Sequence, residues 1–407
     1  MTSATNVLKT YRSGTHRIYS PDATIEKIRP LMKRMEITRI ANVTGLDRIG
    51  IPVVMVTRPN SRSVSVSQGK GIDLDAAKAS ALMESVETWH AEHIDVPVIY
   101  GTRDDLGQNK RLVDLDALPQ IRGTKYHMLL RILWVEGVEL IDQQPIWLPH
   151  EMVHADYTEP SPPGQGCFPC STNGLASGNH LLEAQNHAIC EVIERDATTL
   201  LHHLPIAERQ VRLLDHASVD DGECCALLRH IEQAGLEMTV WDATSNIGVP
   251  AFYGLLINGE SGRVEHIGAG AGCHPNKAIA LSRTITEAVQ TRLTYISGAR
   301  DDLLPAEFVD GGIQEKNIAA REFIGTEKPV RNYCDIGEFD AGSIDQDFNW
   351  LLGQLQSVGI KQVIRVNLTK PDIGIPVVRV VIPGLEAPHD DDDFLPGPRV
   401  ANVGGRS

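Results

Sequence analysis

A short motif recurs three times in the chain and limits the folds open to it. Ile-Gly-(Ile/Val)-Pro occurs within "DRIGIPVVMVTRPN" from Asp47, "SNIGVPAFYGLLIN" from Ser245 and "PDIGIPVVRVVIPG" from Pro371. Each copy precedes an apolar, β-rich run and follows another: "ITRIANVT", "MTVWDAT" and "KQVIRVNLT". Gly and Pro together mark a chain reversal, so the repeated unit is predicted to be a strand pair turning at a Gly/Pro corner. Four matching positions in three copies make chance recurrence a poor explanation. Three such units predict an α+β fold: mainly antiparallel sheets built from repeated strand pairs, with helices packed on them.

Three segments carry helical periodicity. In Asp75–Ala91, "DAAKASALMESVETWHA", Ala79, Leu82, Met83, Val86 and Trp89 form an apolar stripe, with Ser80, Glu84 and Glu87 opposite. The residues around those carboxylates are small (Ala76, Ala77, Ala91), where a solvated face would carry Lys, Gln or Arg. In Glu183–Ala197, "EAQNHAICEVIERDA", Glu191 and Glu194 are again spaced i, i+3 and point the same way, with Arg195 one turn beyond Glu191. Aligning Gly71 with Gly178 superimposes Ala77 on Ala184, Glu84 on Glu191 and Glu87 on Glu194, so the two segments read as versions of one unit. The third helix runs from about Asn276 to Tyr295. Its apolar stripe is Ala278, Leu281, Ile285 and Ala288, and Arg283, Glu287 and Gln290 gather opposite; Arg292 falls on the apolar side. Each segment follows a Gly-rich stretch, "SQGKG", "STNGLASGN" or "GAGAG". These are expected to be turns presenting free backbone N–H groups to phosphate.

Two i, i+3 carboxylate pairs repel unless cations lie between them, and hard divalent ions with oxygen ligands meet that need. Nearby arginines suit a polyphosphate. Together the residues imply a nucleoside triphosphate held through Mg2+ by glutamates. Other classes fit less well. Lys plus Arg number 38 and Asp plus Glu 53, a net charge of −15 that disfavours nucleic acid or an anionic membrane as partner. No segment approaches the ~20 apolar residues that span a bilayer, and "MTSATNVLKTYRSG" has no apolar core of a secretory signal. Seven scattered cysteines fit reduced, cytoplasmic usage. Cys167 and Cys170 form a CxxC without the second ligand pair a structural zinc site needs, and are expected to be ordinary loop cysteines. The acidic run Asp390–Asp393 reads as a solvated loop before a Pro-containing tail. There is no Walker loop and no kinase-type element.

The order SxxxExxE, then NG…GN…ExxER, then RxxxExxQ, carried by "SQGKGIDLDAAKASALMESVE", "STNGLASGNHLLEAQNHAICEVIERDA" and "RTITEAVQTR", resembles the YcaO family. The resemblance runs from about Arg17 to the tail. It implies residues 1–60 as the N-terminal part of a YcaO-like domain, 61–390 as its ATP-binding catalytic core and 391–407 as a C-terminal tail. It also implies an enzyme that uses ATP and Mg2+ to activate a backbone amide of a peptide or protein substrate, with no protein nucleophile, commonly as a homodimer. Position by position, Glu84, Glu87, Glu191 and Glu194 match the family's Mg2+ ligands. Ser80, Asn179, Arg195, Arg283 and Glu287 match residues that contact the nucleotide. Arg17 and Thr24 stand where the family has a Lys and a Ser near ATP, and Lys70 is a phosphate partner by its chemistry. Azoline-forming members use a Cys, Ser or Thr of the substrate and usually end in PxPxP; here Pro396-Gly397-Pro398 is followed by nine residues. Thioamide-forming members use a sulfide source, often with a partner called TfuA, and the "RPNSRSVSVSQGKG" block looks like that branch. Thioamidation is therefore the expected reaction and azoline formation the alternative, with a non-catalytic ATP-binding accessory protein as the reading from another class.

Overall fold

A computed structural model describes residues 6–259, 265–390 and 393–404. Asp391 and Asp392 of the acidic run lie outside the described residues. The strands are β1 (Arg39–Asn42), β2 (Val53–Thr57), β3 (Val66–Lys70), β4 (Val98–Gly101), β5 (Ile132–Glu139), β6 (Pro145–Pro149), β7 (Leu175–Ser177), β8 (Leu236–Asp242), β9 (Ala251–Asn258), β10 (Gly268–Cys273), β11 (Ile364–Asn367) and β12 (Val377–Val381). The helices are α1 (Pro21–Ile28), α2 (Leu74–Glu92), α3 (Arg103–Gly107), α4 (Leu181–His203), α5 (Ile206–Gln210), α6 (Gly222–Gln233), α7 (Lys277–Ser297), α8 (Asp310–Ile324), α9 (Ile344–Ser357) and α10 (Pro398–Gly404). Every strand pair among the described residues is antiparallel, as an α+β chain of hairpins requires.

The three sequence repeats are the three hairpins β1–β2, β8–β9 and β11–β12, one in each of three sheets. Their corners are built alike. The motif glycines Gly50, Gly248 and Gly374 have φ of +80°, +79° and +70°, the left-handed region that favours glycine. An Asx-x-Thr precedes each corner. Thr44, Thr244 and Thr369 donate their N–H to Asn42, Asp242 and Asn367 side chains at 3.1, 3.0 and 3.1 Å. The same threonine hydroxyls then accept from Val53, Ala251 and Val377 N–H at 3.1, 3.2 and 3.1 Å, closing the loop.

A third strand and a helix complete each unit: β3 and α2 on the first hairpin, β10 and α7 on the second, β7 and α4 on the third. The third unit is split in sequence, since β7 and α4 come long before β11 and β12. Its sheet continues through β11 to β5, which β4 and β6 flank. The Gly-rich stretches correct one expectation. "GAGAG" is strand β10 and "SQGKG" is mostly strand β3, rather than phosphate-binding turns. Their glycines let strand and helix backbones touch. A Cβ on Gly69 would lie 2.1 Å from Ala81 N, and on Gly268, Gly270 and Gly272 2.0, 2.3 and 2.1 Å from carbonyls of α7.

The helices start in the same register. Asp73, His180 and Asn276 are the N-caps of α2, α4 and α7, and each side chain accepts from N–H groups of the first turn. Gly71 and Gly178 occupy equivalent contacts, where a Cβ would meet Ala76 Cβ and Ala77 N, or Glu183 Cβ and Ala184 N, at 2.5 to 2.7 Å. Counting from the caps extends the match to the third helix. Eleven residues on stand Glu84, Glu191 and Glu287; fourteen on, Glu87, Glu194 and Gln290; seven on, Ser80, His187 and Arg283. One pattern used three times delivers the polar groups of all three helices to one place. Arg292 on α7 is buried and paired, with Nε 2.7 Å from Asp47 and Nη2 2.6 Å from Glu265.

Candidate active site

The carboxylates of α2, α4 and α7 meet in one cluster and act on one another. Glu87 is influenced by Glu84 and Glu191, and Glu194 by Glu287 and Glu191. Burial pushes all four metal-type carboxylates up, Glu84, Glu191 and Glu194 to about 7 and Glu87 to about 8. The like charges of neighbouring glutamates add to that effect. Backbone donors partly offset it. Ser177 gives Glu87 its N–H and its hydroxyl, each at 2.7 Å, and Gln68 N–H lies 3.3 Å from Glu84. Burial also acts on Glu287, but Lys70 and Arg195 outweigh it and hold that carboxyl below its ordinary value. Lys70 forms an ion pair with Glu287 across β3 and α7.

Beside the acids lies a basic group. Arg195 is kept charged by Glu194, Glu287 and Glu191 against the cost of burial. Arg283 contacts His187 at 3.2 Å, and burial together with the charge of Arg17 disfavours its charged form. Arg17, His187 and Arg283 line a common cavity. Thr24 and Asn179 are joined, Asn179 Nδ2 donating to Thr24 Oγ1 at 2.9 Å. The structure thus places Glu84, Glu87, Glu191, Glu194, Glu287, Lys70, Arg195, Arg283 and Arg17 around one region. Thr24 and Asn179 meet at the start of α4, and Ser80 sits one turn before Glu84. Lys70 and Arg195 offset part of the acidic charge, while the glutamates still repel one another and Arg17 still repels Arg283. Divalent cations answer the first repulsion and a polyphosphate the second.

Three residues escaped the sequence reading. Glu183, in the first turn of α4, looks like an ordinary helix-start acid, yet it accepts from Ile18 N–H at 2.6 Å and Asn179 N–H at 2.7 Å and so locks the N-terminal segment over the site. His187 takes the Arg283 place in the three-helix register, a match visible only once the caps are known. Arg379 hides inside the apolar run of β12. Two other groups of ligand-type side chains lie outside the carboxylate cluster. His16, His274 and Asp347 bring ligand atoms within 4.8 Å of one another, but Lys9 Nζ already pairs with Asp347 at 2.8 Å and repels a cation. Cys167 and Cys170 are free thiols that burial pushes up to about 11.

The family model described as YcaO cyclodehydratase, ATP- and Mg2+-binding, matches residues 68–386. The chain belongs to the YcaO family. ATP and Mg2+ are thus the cofactors of this YcaO protein. Among relatives, an uncharacterized protein in the tfuA 3' region of Rhizobium leguminosarum bv. trifolii is 34% identical over 95% of this chain and 92% of its own length. An uncharacterized protein of Methanothermobacter thermautotrophicus is 31% identical over 90% and 94%. Among solved structures, YcaO from Methanopyrus kandleri bound with AMPPCP and Mg2+ matches with a TM-score of 0.73 at 23% identity, over 93% of this chain and 95% of that one. A heterocyclase in complex with substrate and cofactor matches with a TM-score of 0.79 at 22% identity, over 95% of this chain and 54% of that longer one. Both confirm the YcaO fold.

Proposed function

We propose that this YcaO protein uses ATP to activate a backbone amide of a peptide or protein, and that its product is a thioamide made with a sulfide source and a TfuA-type partner. The observation that carries the ATP chemistry is the half-buried meeting of two i, i+3 glutamate pairs with Glu287, Lys70, Arg195 and Arg283. Glu84, Glu87, Glu191 and Glu194 are the Mg2+ ligands in this reading. Ser80, Asn179, Arg195, Arg283 and Glu287 contact the nucleotide, with Lys70, Arg17 and Thr24 at its edge. Mg2+ supplies neutralisation of the phosphate charge. The chain's own groups do the rest: the arginines orient the phosphates, Lys70 and Arg195 fix Glu287, and Glu183 closes the N-terminal segment over them. The nucleophile adds to the carbonyl carbon, the resulting oxyanion takes the γ-phosphoryl group, and phosphate departs with the former amide oxygen.

Two observations favour the thioamide over the azoline product. The Rhizobium relative, similar along nearly the whole chain, lies beside tfuA. The Pro396-Gly397-Pro398 segment is also tied down: Gly397 N–H donates to Glu386 at 2.8 Å, and Arg399 grips the buried Asp196 at 2.7 and 2.9 Å. All four metal-type glutamates are intact, which disfavours a non-catalytic accessory role. Seven free thiols support a cytoplasmic setting, and among the described residues no helix is long and apolar enough to cross a membrane. The deciding experiment incubates candidate peptides with ATP, Mg2+, sulfide and a TfuA-type protein and reads intact mass. A gain of about 16 Da marks oxygen replaced by sulfur, and a loss of about 18 Da marks cyclodehydration and sinks the thioamide reading.

A further inference from the structure

Arg379 is a buried charge that the fold uses through one nitrogen alone and the assigned chemistry does not use. It sits in the middle of β12 and is 3% exposed. Its Nη2 donates to the Ser171 carbonyl, while Nε and Nη1 are buried without a partner. Most other buried cations here are matched by acids, Arg58 by Glu92, Arg292 by Asp47 and Glu265 and Lys9 by Asp347, while Arg209 lies over the Phe323 ring at 3.8 Å. Among the described residues no carboxylate forms an ion pair with Arg379. A guanidinium keeps its proton in a protein, and an uncompensated buried charge with idle donors is costly to retain. Such a group marks a place where an anion comes and goes.

The groups facing Arg379 sharpen the ligand. Tyr157, Glu191 and Cys170 act on it most strongly after burial itself. Glu191 acts on the guanidinium through its charge but forms no hydrogen bond or ion pair with it among the described residues, so the idle donors stay unmet. Tyr157 is a neutral phenol near pH 7, and burial raises the Cys170 thiol so that it too stays neutral. His154, whose Nε2 lies 4.0 Å from Cys170 Sγ, is likewise kept neutral by burial. Glu151, the acid beneath the CxxC loop, already accepts from the N–H groups of Gly166, Cys167 and Phe168. With Glu191 on Mg2+, the local charge is positive. Tyr157 is 46% exposed, Cys170 half-buried and Arg379 buried, so the three groups run from the surface inward. The two idle donors sit on different nitrogens from the one held by Ser171. Nε–H and Nη1–H point to different sides of the guanidinium, so each offers one contact to a compact anion and together they make no fork for a bidentate phosphate.

We propose that Arg379, with Cys170 and Tyr157, forms a small-anion subsite that holds hydrosulfide, the attacking nucleophile, beside the metal cluster. This rests on the thioamide reading of the reaction. The step balances without an oxidant or reductant. The hydrosulfide sulfur forms a C–S bond to the backbone carbonyl carbon, and the former carbonyl oxygen takes the γ-phosphoryl group, leaving ADP. The C–O bond then breaks, phosphate departs, and the hydrosulfide proton leaves with it. Arg379 holds the sulfur's negative charge until the C–S bond forms, so its loss raises the sulfide requirement.

Two measurements test this. Crystals of the full chain with Mg2+ and a non-hydrolysable ATP analogue, soaked in sodium bromide, are expected to show an anomalous peak within hydrogen-bond reach of Arg379, absent in Arg379→Gln. In steady state with a peptide that gains sulfur, Arg379→Gln is expected to raise the KM for sulfide about ten-fold or more with the KM for ATP unchanged. Arg379→Lys should recover part of that loss, and Tyr157→Phe, on the surface and safe for folding, should raise the KM for sulfide by roughly two- to five-fold. No bromide at Arg379, or an unchanged sulfide KM in both Arg379→Gln and Tyr157→Phe while thioamide still forms, overturns the subsite and leaves the thioamide reading standing. Cyclodehydrated product alone overturns the thioamide reading, and the hydrosulfide assignment with it.

Discussion

Replacing Glu191 with Gln separates folding from function at the carboxylate cluster. Burial raises the Glu191 carboxyl from 4.5 to about 7, so the metal-free fold disfavours its ionised form. A shift of that size corresponds to about 3 kcal/mol. Glu191 keeps some contact with solvent, and screening reduces the figure to ~1–2 kcal/mol. The sign follows from the raised value. The native state binds the proton more tightly than the unfolded chain, so this contribution is present below 4.5 and is lost as pH rises through about 7. Glu191→Gln carries no such penalty. Without metal at pH 8, the variant is expected to be more stable than the parent by ~1–2 kcal/mol, and at pH 4.5 to be close to it. Mg2+ with a non-hydrolysable ATP analogue should reverse the order, stabilising the parent and leaving the variant nearly unmoved. ATP turnover should fall by about two orders of magnitude or more. Thermal melts across pH, with and without ligand, give every quantity. A variant that is less stable than the metal-free parent at pH 8, or that keeps the full ligand-induced shift, would refute the shared metal cluster.

Gly270→Ala places a Cβ 2.3 Å from Thr284 O and 2.4 Å from Ala288 N, both backbone atoms, so β10 must part from α7. A loss of roughly 3 kcal/mol or more is expected in urea unfolding. Asp196→Ala strips Arg399 of its buried partner; a cost of about 3 kcal/mol is expected, with α10 becoming the first site cut in limited proteolysis. Lys70→Met removes the cation that keeps Glu287 ionised, and nucleotide affinity measured by calorimetry should drop about ten-fold while far-UV dichroism stays unchanged.

The hairpins were legible because their corners demand particular residues: a left-handed Gly and a Pro leave a mark that apolar runs alone do not. The helices and their carboxylates were legible for a similar reason, since i, i+3 acids among alanines have no use in water. What escaped depended on partners distant in sequence. "GAGAG" carries the composition of a turn, and only α7 lying against it shows why those glycines are needed in a strand. Arg379 sits among valines, where periodicity reports a buried strand and is silent about the charge. Glu183 resembles any acid at a helix start until Ile18 is found above it.

Splitting the third unit has a consequence for the chain as it leaves the ribosome. The first and second hairpins are each followed closely by their third strand and helix, but β11 begins 187 residues after β7 ends (364 − 177). The segment bearing Glu191 and Glu194 must therefore wait for strands far along the chain before β12 can pair with β7 and pack against α4. Until then α4 lacks the strand it packs on, so the helix that carries two of the acids is the part of the site whose apolar side stays uncovered longest.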